Sequence, residues 1–117
     1  MKTIGIVGSR SRNSGRDLIA TRKAFLGVYE KGDVIVSGGC SKGGDKFAEV
    51  IAKELGLTIT IHYPDWARIG RGAGFARNSK IADSCDVLLA VIAENSKGTE
   101  DTINKTRKQN KPVILIN

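Results

Sequence analysis

Five short runs of mostly apolar, β-branched residues alternate along this chain with segments of helical length: TIGIVG (3–8), DVIVSG (33–38), LTITIH (57–62), DVLLAVIA (86–93) and PVILIN (112–117). Runs that are apolar throughout, rather than at every second residue, belong to strands buried on both faces, and such strands are parallel. Helical patterns fill the intervals at 16–29 (Leu18, Ile19, Phe25, Leu26, Tyr29), 44–55 (Phe47, Ala48, Ile51, Leu55), 75–84 and 99–109, the last with Ile103 as its only large apolar residue. Gly32 and Gly56 follow two of these helices where a left-handed C-terminal cap is wanted. Strict strand-helix-strand alternation requires right-handed crossovers. The predicted fold is therefore α/β, a Rossmann-like three-layer sandwich with a five-stranded parallel sheet. A chain of 117 residues holds one core, so 1–117 is predicted to be a single domain.

Composition excludes several classes. With 40% apolar and 26% charged residues the chain is neither disordered nor membrane-like. Its longest apolar run, Val87 to Ala93, is far short of the roughly 20 residues of a membrane span. The N-terminus MKTIGIVGSR has no signal-peptide core, so the cytoplasm is the expected location and no membrane partner is expected. Cys40 and Cys85 form no CxxC, and His62 is the only histidine, so no metal site is expected. Nothing in the chain calls for a resident cofactor. The formal charge of +7 favours anionic partners, but it is spread along the chain and locally dense only in NKTRKQNK (104–111).

In parallel sheets of this kind ligands sit beyond the carboxyl ends of the strands, where helix N-termini offer free amides. Three loops reach that edge. The first strand ends in Gly8-Ser9-Arg10; the second in Ser37-Gly38-Gly39, followed by Lys42-Gly43-Gly44-Asp45; the fourth in Glu94-Asn95-Ser96-Lys97-Gly98-Thr99. Each combines glycine with hydroxyls and a cation, and consecutive amides in such turns form anion nests. Phosphate is the simplest ligand for them; tight turns and helix starts are the structural alternative. Neither GxxxxGK[ST] nor GxGxxG occurs, which disfavours a Walker ATPase or a standard dinucleotide-binding dehydrogenase. Asp45 suits a helix N-cap or first turn, and a carboxylate there leaves phosphate nearer Gly38-Gly39 or Gly98-Thr99, with Asp45 free for ribose hydroxyls.

The stretch from Tyr63 to Gly74 is long for a strand-to-helix connection and carries Tyr63, Trp66, Arg68 and Arg71. Trp66 either offers an aromatic face to a purine or covers the end of the sheet. Arg77 and Asn78 open the next helix at the ligand edge. Cys40, with no histidine near it in the sequence, reads as a small filler in the glycine loop, and His62 as a packing residue at a strand end.

IVSGGCSKGGDKFAEVIAKELG, then HYPDWARIGRGAGFARNSKIADSCDVLLAV, then SKGTEDTI together resemble the SLOG superfamily, in the branch of small stand-alone proteins related to YspA and cpYpsA. Relatives of that superfamily include the LOG phosphoribohydrolases and the DNA-processing protein DprA. The resemblance covers nearly the whole chain and implies binding of a nucleotide or nucleotide-derived molecule, with homodimers common among its members. By that resemblance Gly38, Gly39, Gly43 and Gly44 match the first glycine motif, and Lys97, Gly98 and Thr99 match the end of the second. Arg77 and Asn78 fall in the RN motif. In LOG enzymes the second motif reads PGGxGTxxE, and its glutamate works with an upstream arginine at the N-glycosidic bond of a nucleoside monophosphate. Arg77 is the matching arginine, but Thr102 stands where the glutamate should be, and Glu94-Asn95-Ser96 replaces the PGG. Glu100 and Asp101 would point about 200° and about 100° away from Thr102 on a helix, which leaves Glu94 as the candidate catalytic carboxylate.

The reading is a protein that binds a nucleotide or nucleotide-derived phosphorylated small molecule at the carboxyl edge of the sheet, as a sensor would. The alternatives are a LOG-like phosphoribohydrolase and DprA-like single-stranded DNA binding, the latter through Lys97, Lys105, Lys108 and Lys111.

Overall fold

The computed structural model describes residues 1–117. Its elements run β1 (Thr3–Gly8), α1 (Gly15–Val28), β2 (Val34–Ser37), α2 (Gly44–Leu55), β3 (Ile59–Ile61), α3 (Trp66–Ile69), α4 (Ala73–Ser84), β4 (Val87–Val91), α5 (Lys97–Lys108) and β5 (Val113–Leu115), with one 3-10 turn at Gly70–Gly72 between α3 and α4. The strands form a five-stranded sheet in the order β3-β2-β1-β4-β5, parallel at every pairing. Ile4 of β1 stands in register with Ile35 on one side and Val87 on the other.

Alternation along the strands splits the core into two layers. Ile4, Ile6, Ile35, Val87, Leu89 and Val91 face Phe25 of α1 and Phe47, Ala48 and Ile51 of α2. Val7, Val36, Leu88 and Ala90 face the opposite way, onto Ile81 and Cys85 from the α4 side and Ile103 of α5. Helices on both faces of the sheet give the three layers that the strand patterns predict.

The differences from the sequence reading have physical reasons. The strands β2 to β5 are shorter at their ends than the apolar runs. The outer strands β3 and β5 have a partner on one side only, and Asp33, ahead of β2, uses its side chain in a turn instead. Gly56 caps α2 with φ +66, as expected. Gly32 does not cap α1: that helix ends at Val28 with extended Tyr29, and Gly32 (φ +96) lies in the following turn. The Tyr63-to-Gly74 connection is not a bare loop, since α3 and the 3-10 turn occupy most of it. Helix α5 packs with one large apolar residue because Thr99, Thr102 and Thr106 share its buried face. The Thr106 and Thr102 hydroxyls donate to the carbonyls of Thr102 (2.7 Å) and Gly98 (3.2 Å), so burying them leaves no polar atom unpaired.

Backbone contact sets the carboxyl edge. A Cβ on Gly44 would overlap Val7 C, Val7 O and Gly8 N, so the first turn of α2 lies directly on the end of β1. Gly44→Ala is expected to cost about 2–3 kcal/mol or to prevent folding, because backbone cannot move aside as a side chain can. Gly15→Ala, at a position with nothing within 4 Å, is the control expected to be neutral in the same denaturant titration.

At the opposite edge Asp33 is only 4% exposed and accepts from Lys2 N (2.8 Å), Lys2 Nζ (2.5 Å) and Glu30 N (2.8 Å). Burial alone would raise its pKa, but these hydrogen bonds and the Lys2 charge outweigh it and hold the carboxyl at about 2. A depressed acid stabilises the fold in full above the ordinary carboxylate pKa of about 4, and that contribution disappears as pH falls toward about 2. Asp33→Asn is therefore expected to lower the melting temperature at pH 7 and to flatten its dependence on pH between those two values.

Candidate functional site

The sheet order reverses direction between β1 and β4: the chain leaves β1 toward β2 on one side, while β4 and β5 lie on the other. Open α/β sheets form their ligand crevice at such a switch point. A cleft of about 230 Å³ lies there, lined at the end of β1 by Val7, Gly8, Ser9 and Arg10 and after β2 by Cys40 and Asp45. Arg77, Asn78 and Ile81 line it from α4, and Ser96, Gly98, Thr99 and Thr102 from the start of α5.

One wall consists of donors. The Ser9 amide donates to Val91 O (2.8 Å), and the Ser9 hydroxyl accepts from Ala93 N (2.9 Å) and shares a hydrogen bond with the Ser96 hydroxyl (2.5 Å). Ser96 Oγ in turn donates to Thr99 Oγ1 (3.3 Å). The three hydroxyls of Ser9, Ser96 and Thr99 thus form one chain of hydrogen bonds along this wall. Behind these hydroxyls, Asn95 adopts φ 58 and turns the chain into α5. The first helical bond of α5 is Glu100 N to Ser96 O, and no side chain caps the helix. The amides of Lys97, Gly98 and Thr99 thus have no acceptor within the chain, at the positive end of a helix.

The glycine loop before α2 behaves differently. Its Cys40 amide donates to Asp45 Oδ2 (3.1 Å) and its Gly43 amide to Asn13 Oδ1 (2.8 Å). What approaches this backbone so closely is the protein itself: β1 at Gly44, the Ser9 carbonyl at Gly43, the Arg77 guanidinium and Asp45 carboxylate at Gly38, and the Tyr63 ring at Gly39. The expected anion nest therefore has its Cys40 and Gly43 donors already occupied.

The opposite wall carries opposed charges. Asp45, 6% exposed, is the second residue of α2 rather than its N-cap, which is Gly43. Burial raises its carboxyl pKa, opposed by the Cys40 amide and the Arg77 charge. Arg77 donates from Nη1 to Gly38 O and from Nε to Asn78 Oδ1 (2.9 Å). Asn78 Nδ2 reaches Gly98 O (3.1 Å) and Asp101 Oδ2 (3.2 Å), so it braces α4 against the start of α5. His62 does not line the cleft; its Nε2 is buried without a partner, and burial, followed by the charges of Lys80 and Arg77, lowers its pKa and favours the neutral ring.

Of the residues singled out in the sequence, the cleft brings together Gly8, Ser9, Arg10, Asp45, Arg77, Asn78, Gly98 and Thr99. Gly38, Gly39 and Trp66 line an adjoining groove with Arg10 and Arg77. Ser37, Gly43 and Gly44 are buried behind the edge, with Ser37 Oγ donating to Ile6 O. Lys42 and Lys97 point to solvent outside the cleft. Glu94 does too: it is exposed and lines neither space, because the chain turns at Asn95 before reaching α5, so the candidate catalytic carboxylate is displaced from the cleft. Thr102, in the place of the LOG glutamate, lies on the cleft floor. Sequence reasoning did not count Val7, Ile81 and Ser96 as lining residues, and Cys40, read there as a filler, lines the cleft as well. The signals were present: Ser96 is a hydroxyl residue directly before a helix, and Ile81 follows Arg77 by one helical turn.

No protein-family model and no curated protein matches the chain. Solved structures do. DNA processing protein A from Streptococcus pneumoniae superposes with a TM-score of 0.77 at 23% identity, over 97% of this chain and 49% of that one. DNA processing protein A from Helicobacter pylori, described for its single-stranded DNA binding mode, gives 0.76 at 21%, over 97% of this chain and 64% of that one. The molybdenum cofactor carrier protein from Chlamydomonas reinhardtii gives 0.73 at 28%, over 97% of this chain and 75% of that one. The chain thus spans about half to two thirds of the length of the two DNA processing proteins, and at their identity the likeness is one of fold. The shared architecture is the Rossmann-like α/β fold with an all-parallel sheet.

Asp45→Asn can keep the Cys40 amide bond through its amide oxygen while removing a carboxylate that burial disfavours. An acid whose folded pKa is raised holds its proton more tightly folded than unfolded, so it detracts from stability as pH rises through and above the ordinary range. The variant is expected to match the parent near pH 3 and to be the more stable of the two at pH 7, measured by denaturant unfolding at both values.

Proposed function

We propose that the cleft binds a phosphorylated small molecule derived from a nucleotide, with its phosphate at the start of α5. The observation that carries this reading is the uncapped helix start: the amides of Gly98 and Thr99 have no acceptor in the chain, and these two residues line the same cleft as Arg10. An oxyanion at that wall would meet the helix-start amides and the Arg10 cation, with Asp45, Cys40 and Arg77 also lining the cleft. The solved neighbours are a single-stranded DNA binder and a cofactor carrier, which supports ligand capture as the use of this fold. The SLOG motifs support a nucleotide-like ligand and the small stand-alone branch.

The two alternatives have less support. N-glycoside hydrolysis needs a carboxylate at the ribose, but Thr102 donates its hydroxyl to Gly98 O and Glu94 lies outside. The DNA reading needs a free basic stripe. Lys105 is engaged by Asp101 and Phe75 O, and Lys111 by Ala82 O and Asp83 O, which takes two of its four lysines.

An amide-resolved NMR titration with inorganic phosphate and nucleoside monophosphates tests the assignment. Saturable shifts are expected at Gly98 and Thr99, with Cys40 and Gly43 little changed and no free base released. Thr99→Val, close in shape but without the hydroxyl, is expected to weaken phosphate binding about tenfold. Silence at Gly98 and Thr99 with phosphate and with every mononucleotide would sink the proposal.

A further inference from the structure

The cleft is too small for a whole nucleotide: about 230 Å³ against the roughly 300–1,000 Å³ of ordinary small-molecule sites. It does not end at Arg10, Cys40 and Arg77, because these residues also line a second groove of about 460 Å³ walled by Tyr63 and Trp66. Those two rings leave 66% and 58% of their surfaces in water, more than any other aromatic residue in the chain. Aromatic surface left exposed beside a polar cleft marks a contact surface rather than a core.

Both rings are seated on glycine. Tyr63 packs on Gly39, which adopts φ +78 and whose Cβ would lie 2.7 Å from Tyr63 Cδ1. Trp66 Cη2 lies 3.5 Å from where a Cβ on Gly74 would stand. In the same groove the Arg77 guanidinium is held by Gly38 O and Asn78, which fixes its plane. Flat aromatic faces and an oriented guanidinium are the groups on which a planar heterocycle stacks.

We infer that this groove holds the planar heteroaromatic ring of the same molecule whose phosphate lies at α5. The ligand class is then a ring-bearing phosphate monoester rather than a sugar phosphate or a polyphosphate. The inference rests on the phosphate reading above, and its test separates the two. Trp66 is the only tryptophan, so its emission reports on the groove directly.

The protein is titrated with inorganic phosphate, ribose 5-phosphate, a panel of AMP, GMP, CMP, UMP and flavin mononucleotide, and an oligothymidine. At least one of the ring-bearing monophosphates is expected to quench Trp66 and to bind about ten- to a hundredfold more tightly than ribose 5-phosphate, as stacking on one or two side chains allows. Trp66→Ala and Tyr63→Ala are each expected to bring that ratio toward one, and circular dichroism checks that both variants fold. If ribose 5-phosphate shifts Gly98 and Thr99 while no ring-bearing ligand gains affinity or quenches Trp66, the ring subsite is overturned and the phosphate reading stands. Quenching by oligothymidine that weakens steeply with salt, with all mononucleotides silent, would also overturn it by assigning the aromatic wall to a nucleic acid strand.

Discussion

The carboxyl edge of this sheet is built on backbone touching backbone. Gly44 lies on Val7 and Gly8, Gly43 lies on the Ser9 carbonyl, and a Cβ on Gly8 would meet both Val91 O and Gly44 N. Two strand ends, those of β1 and β4, and the first turn of α2 are thereby held together at one point. Only glycine allows it, which is why the glycines gather in these two loops. The same closeness commits the loop internally, since Asn13 and Asp45 take up its Gly43 and Cys40 amides. Donors for an anion are then left at α5, where the serine ahead of the helix turns its hydroxyl to Thr99 rather than capping the backbone.

This division explains what could be read in the sequence. The parallel sheet was legible because β1, β2 and β4 are buried on both faces, and a strand in that position needs apolar residues throughout. Helix α5 was faint because its packing face is threonine, whose hydroxyls find carbonyls one turn back, and hydropathy does not register that. The two candidate glycine caps differ for a tertiary reason: α2 runs to its left-handed Gly56, whereas α1 stops four residues before Gly32, and the intervening turn is organised by Asp33. At the site, the loops could be placed from the strand ends alone. Which of their amides are free could not, because the Gly43 amide is satisfied by Asn13, 30 residues away. Glu94 misled for a related reason: it follows a strand end on the correct edge, but the turn at Asn95 leaves it in solvent.

The two walls of the cleft differ in what they ask of a ligand. The α5 wall offers hydroxyl and amide protons and asks for an acceptor. Across from it, Asp45 is the one carboxylate lining the cleft, set beside a guanidinium that is itself tied to Gly38 O and Asn78. Desolvation makes that carboxylate a costly charge, and a ligand hydroxyl or ring N–H would offset part of the cost, whereas a second anion would add to it. A molecule suited to both walls would therefore be polar in a directional sense, with its acceptor oxygens at one end and its donors toward the other.

The same wall bears on the choice between capture and chemistry. Breaking an N-glycosidic bond places positive charge on the ribose, and a carboxylate helps most when it is ionised and able to reach the reacting carbon. Burial raises the Asp45 pKa, and one of its oxygens is held by the Cys40 amide rather than free for a reacting carbon. Thr102 faces the cleft with a hydroxyl already given to Gly98 O. On the proposed reading the fixed donors at α5 would hold a ground-state anion as well as any later species along a reaction, and uniform binding of that kind does not accelerate breakdown.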